Sequence, residues 1–384
     1  MASHSRVVRL LRDMVACPSV NPAFLPPGDR RAGEAAVAGL VASFASGAGL
    51  DVSFEEVLPG RGNVLARLAP AGPIRHRVLL APHLDTVGEP CLDALLRPGV
   101  SSGRLTGRGA CDTKGCVAAF LEALRRVAEG GRRPGSTEVL FAGFVDEENG
   151  QAGSRRHAAL ARREGRRTEL AIVGEPTRLE VVTAHKGDVW LQLRTQGRAA
   201  HGATPHLGTS AVVAMARVVE ALETEYREVL TRRTHPLLGH ATINVGSIRG
   251  GTQPNIVPDS CVISLDRRTL PGEDEDLVRR EIGALMKRRG LRVAFDPLRA
   301  EPCPALETDP ANPWVQRLMK AAGRRRTTGV HYFCDAAPLA AGGIPSVVFG
   351  PGDIAQAHTR DEWISTASLE RGTDLMERFI RGLP

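Results

Sequence analysis

Arg77-Val-Leu-Leu-Ala-Pro-His83-Leu-Asp85-Thr86 decides the fold: an apolar run ends in a histidine and an aspartate two residues apart. Residues i and i+2 of a strand share a face. The carboxylate there can hold the imidazole in one tautomer and leave the other ring nitrogen free as a metal ligand or base. Around this run, short apolar segments at 63–68, 137–145 and 170–173 alternate with a helical pattern at 116–128. Such alternation predicts an α/β fold with a largely parallel central sheet. Beyond Lys186 the style changes, since 188–195 and 261–268 alternate apolar and polar residues as half-exposed strands do. A helix opening at Thr209-Ser210 carries Val212, Met215, Val219 and Leu222 as one stripe. A second helix at 273–289 and a strand at 291–295 complete an α+β sandwich, and the proline-rich 302–313 reads as a return linker. From Trp314 a helix, a strand at 342–349 and a final helix restore the first style. The expected organisation is an α/β/α domain at 1–182 and 298–384, interrupted by an inserted α+β domain at 183–297.

Composition bounds the partners. A chain of 384 residues suits about two or three domains. The net charge of +7 comes from 50 basic and 43 acidic residues, so no polyelectrolyte tail is present. Aromatic residues are only 4%, too few for base-stacking surfaces, and the arginine doublets are scattered. No nucleic-acid partner is expected. Seven cysteines, an odd number without a C-x-x-C pair, indicate neither a disulfide framework nor a zinc ribbon. The N-terminus spaces apolar residues at 7, 10, 11, 14 and 15 as a structural helix, and nowhere do some 18 apolar residues run together. A cytoplasmic protein without a membrane partner is expected.

Five strand-to-loop junctions carry the chemistry. Beside His83 and Asp85, a strand ends in Asp146, Glu147 and Glu148, another runs into Glu175, and Asp112 lies in the glycine-rich turn G-R-G-A-C-D. The fifth leads through Pro351-Gly352 to His358. Open α/β sheets place ligands at the carboxyl ends of their strands. Adjacent carboxylates repel unless a cation sits among them. Two divalent cations would balance Asp112, Glu147, Glu148 and Glu175, and the donor set suits zinc, cobalt or manganese. Rival motifs lack their context. Gly99-Val-Ser-Ser-Gly103 follows Arg97-Pro98 rather than a strand, so it reads as a turn. No H-E-x-x-H occurs. A thiol-dependent amidase using Cys111 or Cys116 is disfavoured, since no histidine is placed to activate either.

The ordered motifs P-H-L-D-T-V, G-R-G-A-C-D-T-K-G, D-E-E-N-G, V-G-E-P-T, G-R-A-A-H-G-A-T-P, D-R-R-T-L-P-G and A-H-T-R-D-E-W resemble the dinuclear zinc hydrolases called M20 peptidases. That family includes acetylornithine deacetylase, succinyl-diaminopimelate desuccinylase, aminoacylase and glutamate carboxypeptidase. The resemblance spans essentially the whole chain. It implies that His83, Asp112 and Glu175 hold one metal and that Asp112, Glu148 and His358 hold the other, with Asp112 shared. The cofactors implied are two divalent ions, zinc or cobalt. Asp85 would orient, and Glu147 would be the general base. A cis Asp112-Thr113 peptide is also implied. From the inserted domain, His201 would stabilise the oxyanion across a homodimer interface, while Asn255 and Arg268 would bind the substrate. Arg267 should face the other side of its strand. The implied reaction removes an N-acyl group from an amino acid, as in N2-acetyl-L-ornithine. His185-Lys186-Gly187, Phe333-Cys334 and G-P-G-D-I-A-Q-A-H lean toward that branch, because desuccinylases carry a Gly/Ser/Thr-rich run before the equivalent of Asp335. The alternatives are an N-succinyl desuccinylase, a peptidase of the same family, or an inactive metal-binding scaffold.

Overall fold

The computed structural model describes residues 4–89, 92–298, 301 and 303–384; Cys91 and Pro302 lie outside the described residues. The chain divides into two compact units. One comprises Met1–Thr183, Thr308–Thr328 and Cys334–Pro384, the other Ala184–Glu307 and Gly329–Phe333. The break after the second unit thus falls ten residues later than the expected 297/298. The cause is local pairing: the Asp188 N–H donates to the Cys303 carbonyl at 2.8 Å, and Leu306 pairs with His185. The segment read as a linker therefore contains a short strand, Leu306–Glu307.

The first unit is built on a sheet in which Thr137–Gly143, His76–Pro82, Leu170–Gly174 and Ser346–Val348 run parallel in that spatial order. Arg61–Leu68 and Asp51–Leu58 continue it antiparallel beyond Thr137–Gly143. The parallel strands are apolar on both faces, as strands covered on both sides must be. The Lys114–Glu129 helix packs against the Arg6–Ala16 and Thr366–Arg381 helices. Its Val117 to Leu121 are all fully buried, which marks a helix surrounded by protein. Truncating Leu121 to alanine would cost about 2–5 kcal/mol. Gly174 ends its strand where an added Cβ would lie 2.9 Å from both Pro82 Cβ and Cys116 Cβ, so only glycine lets these elements converge.

The second unit has a four-stranded antiparallel sheet in the order Thr242–Gly250, Ser260–Thr269, Gly187–Gln196, Ala294–Pro297. Leu191, Leu193, Ile263 and Leu265 meet Met215 and Val218 of the Ala211–Ala221 helix and Ile282 of the Glu275–Arg288 helix. The side chains of Ser210 and Asp274 cap these helices. Two expectations shift. Val218 rather than Val219 is fully buried, and the last strand begins at Ala294 because Leu291 and Val293 pack against the core without pairing. Among the described residues no helix is long and apolar enough to cross a membrane.

Candidate metal centre

His83, Asp112, Glu148, Glu175 and His358 gather in one cluster, with Asp85 and Glu147 beside it, whereas Asp146 turns to Arg61 at 3.1 Å. His83 directly follows the His76–Pro82 strand, and Glu175 follows Leu170–Gly174. Asp112 precedes the Lys114–Glu129 helix. His83, Asp112 and Glu175 each offer a donor atom within 4.8 Å of the others, and so do Asp112, Glu148 and His358. Asp112 belongs to both groups and lies between two imidazoles. Its Oδ1 is 3.2 Å from His83 Nε2, and its Oδ2 is 3.3 Å from His358 Nε2. The Asp112-Thr113 peptide is cis, and the Thr113 hydroxyl donates to the Gly174 carbonyl at 2.8 Å.

Asp85 sits beside His83 and holds a neighbouring loop as well. The His83 Nδ1 donates to the Asp85 backbone carbonyl at 3.0 Å, while the nearest Asp85 side-chain oxygen is 3.5 Å away. The carboxylate of Asp85 also accepts the N–H groups of Glu147 and Glu148, each at 3.1 Å, and so fixes the loop that carries them.

The charge balance of this cluster is unusual. Among the described residues Asp112, Glu148 and Glu175 form ion pairs only with His83 and His358, and Glu147 forms none. Burial, and then repulsion from Asp112 and Glu148, pushes Glu175 well above the ordinary range; His83 opposes the shift. Glu147 is likewise raised by desolvation and by Glu175, Asp335 and Glu148, against His83. For Asp112 burial acts upward, but the hydrogen bonds of His358 and His83 win and hold it low. His358 is pushed up to about 10 by Asp112 and Glu148. Buried carboxylates without Lys or Arg partners are the environment that cations relieve, and imidazole plus carboxylate oxygen suits zinc or its neighbours. The residues present fit a pair of divalent ions.

Residues 79–382 match peptidase family M20/M25/M40. The chain belongs to this family. Its members are hydrolases acting on amide bonds, and so is this chain. It is 30% identical to the acetylornithine deacetylase of Proteus mirabilis, an alignment covering 97% of this chain and 95% of that protein. The fold is similar to that of aminopeptidase PepT from Bacillus cereus, with a TM-score of 0.77 at 22% identity over 98% and 97% of the two chains. A dinuclear metal-binding M20 peptidase from Bacillus subtilis gives 0.70 at 13% identity over 98% and 97%.

Within this M20 chain, the second unit holds the remaining expected residues. His201 is exposed and its Nδ1 accepts the Ala203 N–H at 3.0 Å, which leaves Nε2 as the donor nitrogen of the ring. His201 bridges to Ile256, and the Gly202 N–H donates to the Asn255 carbonyl at 2.7 Å. These pairings bring the His201 and Asn255 loops together. Arg268 forks onto Asp266 at 2.8 and 2.9 Å and lies over the Phe333 ring. Arg267 turns the other way, into the interior, where it meets Glu273 at 2.9 Å.

Three contributors went unassigned in the sequence. Asn21 donates to Asp85 at 2.8 Å and to Asp146 at 3.0 Å, bracing the Glu147 loop from the N-terminal segment. Asp335 is buried, accepts from the Ser154 hydroxyl at 2.5 Å and is pushed up to about 7 by burial. Glu362 accepts four hydrogen bonds from the Asp112 loop. Only Glu362 left a local signal, as a carboxylate four residues after His358 inside A-H-T-R-D-E-W. The thiols of Cys111 and Cys116 are pushed far up by burial, which leaves neither as a nucleophile. Of the Gly99 to Gly103 segment read as a turn, Gly99–Ser101 is a short strand paired with Arg104–Thr106, and only Ser102 and Gly103, both at positive φ, make the turn.

Proposed function

We propose that this chain is a metal-dependent amidohydrolase that removes the N-acyl group, acetyl in the first instance, from an amino acid with a free α-carboxylate. N2-acetyl-L-ornithine is the leading substrate, supported by 30% identity to a deacetylase of that name along nearly the whole chain. The observation that carries the reading is the cluster of buried carboxylates whose ion-pair partners, among the described residues, are two histidines alone. His83, Asp112 and Glu175 would hold one ion and Asp112, Glu148 and His358 the other, zinc first and cobalt second. Such ions supply a Lewis acid that polarises the acyl carbonyl and makes water acidic.

Glu147 stands outside both donor groups and is free for proton work. On the same loop as Glu148, it is the carboxylate left to take a proton from the attacking water and deliver it to the amine nitrogen as the C–N bond breaks. Asp85 holds Glu147 and Glu148 in place through their backbone. His201, with Nε2 as its donor nitrogen, is the oxyanion donor. Arg268, already oriented by Asp266, is the partner of the substrate carboxylate, and Asn255, on the loop joined to that of His201, is a second substrate contact.

The second unit is the lid and the homodimer surface, so that His201 serves the partner's site. Support for this comes from its outer strand Thr242–Gly250, largely exposed and unpaired on one side, with Ile248 and Val213 exposed in the same unit. A cytoplasmic location is supported by the free thiols of Cys17, Cys111, Cys116, Cys261 and Cys334. The test is release of free amine from N-acetyl-L-ornithine by zinc- or cobalt-loaded protein, before and after chelation. Chelator-sensitive release is the expected result. No release, with turnover of succinylated or peptide substrates instead, would move the assignment to those branches. Failure on all of them would leave an inactive scaffold.

A further inference from the structure

Glu362 is fully buried, and its two carboxylate oxygens each accept two hydrogen bonds. Oε1 takes the backbone N–H groups of Cys111 at 2.8 Å and Asp112 at 3.0 Å. Oε2 takes the Gly109 N–H at 3.0 Å and Arg108 Nη1 at 2.8 Å. The connection runs in both directions along the chain. Arg108 Nη2 also donates to the Thr359 carbonyl at 3.2 Å, and the Gly107 N–H donates to the Glu362 carbonyl at 2.9 Å. Six hydrogen bonds therefore join 107–112, which ends in Asp112, to 359–362, which begins beside His358.

We propose that Glu362 is a positioning residue that locks the Asp112 and His358 loops into one piece and thereby sets the affinity of the centre for its ions. The proposal rests on the ligand reading above. First, the pocket around Glu362 offers only donors, so an anion with two oxygens fits and a carboxamide, which would turn its NH2 toward two N–H groups, does not. Second, the tether includes the N–H of Asp112 itself, the residue common to both donor groups, so loosening it displaces a ligand of both ions. Third, His358 is exposed, with a left-handed φ of 60°. Packing holds it less than it holds His83, and the knot four residues on supplies the constraint. Partners of this kind typically change metal affinity by about 10–100-fold when removed.

The experiment is zinc titration against a competing chelator, on wild type and Glu362→Gln, beside thermal unfolding of the zinc-free proteins. Wild type is expected to bind two zinc ions, and Glu362→Gln to bind both about 10–100-fold more weakly. Glu122→Gln serves as the control, a buried carboxylate on the Lys114–Glu129 helix paired with Arg125 and Arg126. It is expected to lower the melting temperature and leave zinc affinity unchanged. If Glu362→Gln behaves like that control, Glu362 is merely structural and the proposal is overturned. Should Glu362→Gln fail to fold, Arg108→Gln removes one of the four donors and is expected to weaken zinc several-fold; unchanged affinity there overturns the proposal equally. Wild type that binds no zinc would instead overturn the ligand reading, and this proposal with it.

Discussion

His83 and His185 stand at the carboxyl ends of two strands, and both are buried, yet their surroundings drive them in opposite directions. Desolvation acts against the proton on His83, but Asp112 and Asp85, then Glu147 and Glu175, outweigh it and raise its pKa well above the ordinary value. Among the described residues His185 has only the Lys186 carbonyl, which accepts from its Nδ1 at 2.8 Å, and its buried Nε2 has no partner. Burial takes it down to about 4. A buried histidine is thus a neutral core side chain by default and a ligand where carboxylates converge on it.

The contrast can be broken by substitution. His83→Ala is expected to abolish zinc retention and turnover together, whereas His185→Gln should keep both; elemental analysis beside the amine-release assay reads the difference. Glu147→Ala removes a carboxylate that faces His83 without removing a ligand. It is expected to lower kcat by about 10²–10⁴-fold with zinc content intact. Loss of zinc in that variant would make Glu147 a ligand rather than the base. A third histidine extends the series, because His201 is exposed and faces no carboxylate cluster. His201→Ala should leave zinc content and unfolding unchanged and lower kcat by about 10²-fold. Normal turnover would remove the oxyanion role.

The smallest effect concerns pH and stability. With a folded pKa of about 4 against about 6.5 unfolded, His185 binds its proton more readily in the unfolded chain. Stability should therefore fall as pH drops below about 6.5, by about 2 kcal/mol at pH 5, or a few degrees in Tm. His185→Gln should flatten that slope. An identical acid slope in both proteins would mean that His185 is not the buried neutral group described.

The sequence made legible those features that a single run of residues encodes. Apolar strands breaking into His83, Asp85, Glu147, Glu148 and Glu175 announced both the α/β sheet and the edge at which these side chains gather. Asp112 and His358 followed from the same logic at loops. Contacts between distant segments were not legible. Nothing near Asn21 shows that its amide braces the Glu147 loop, and nothing near Glu362 shows that its carboxylate collects donors from 108–112. The edge strand Asp51–Leu58 was silent because it is mostly exposed and buries only Glu55 fully. His185 and His83 look alike along the chain; only the surrounding charges separate them.

The central claim is that one carboxylate, Asp112, is shared by two metal ions. Its most direct test is equilibrium dialysis of wild type and Asp112→Ala against zinc, with bound metal counted per chain. The account predicts two ions in wild type and none retained by the variant. Two ions in both proteins, or none in wild type, would contradict it.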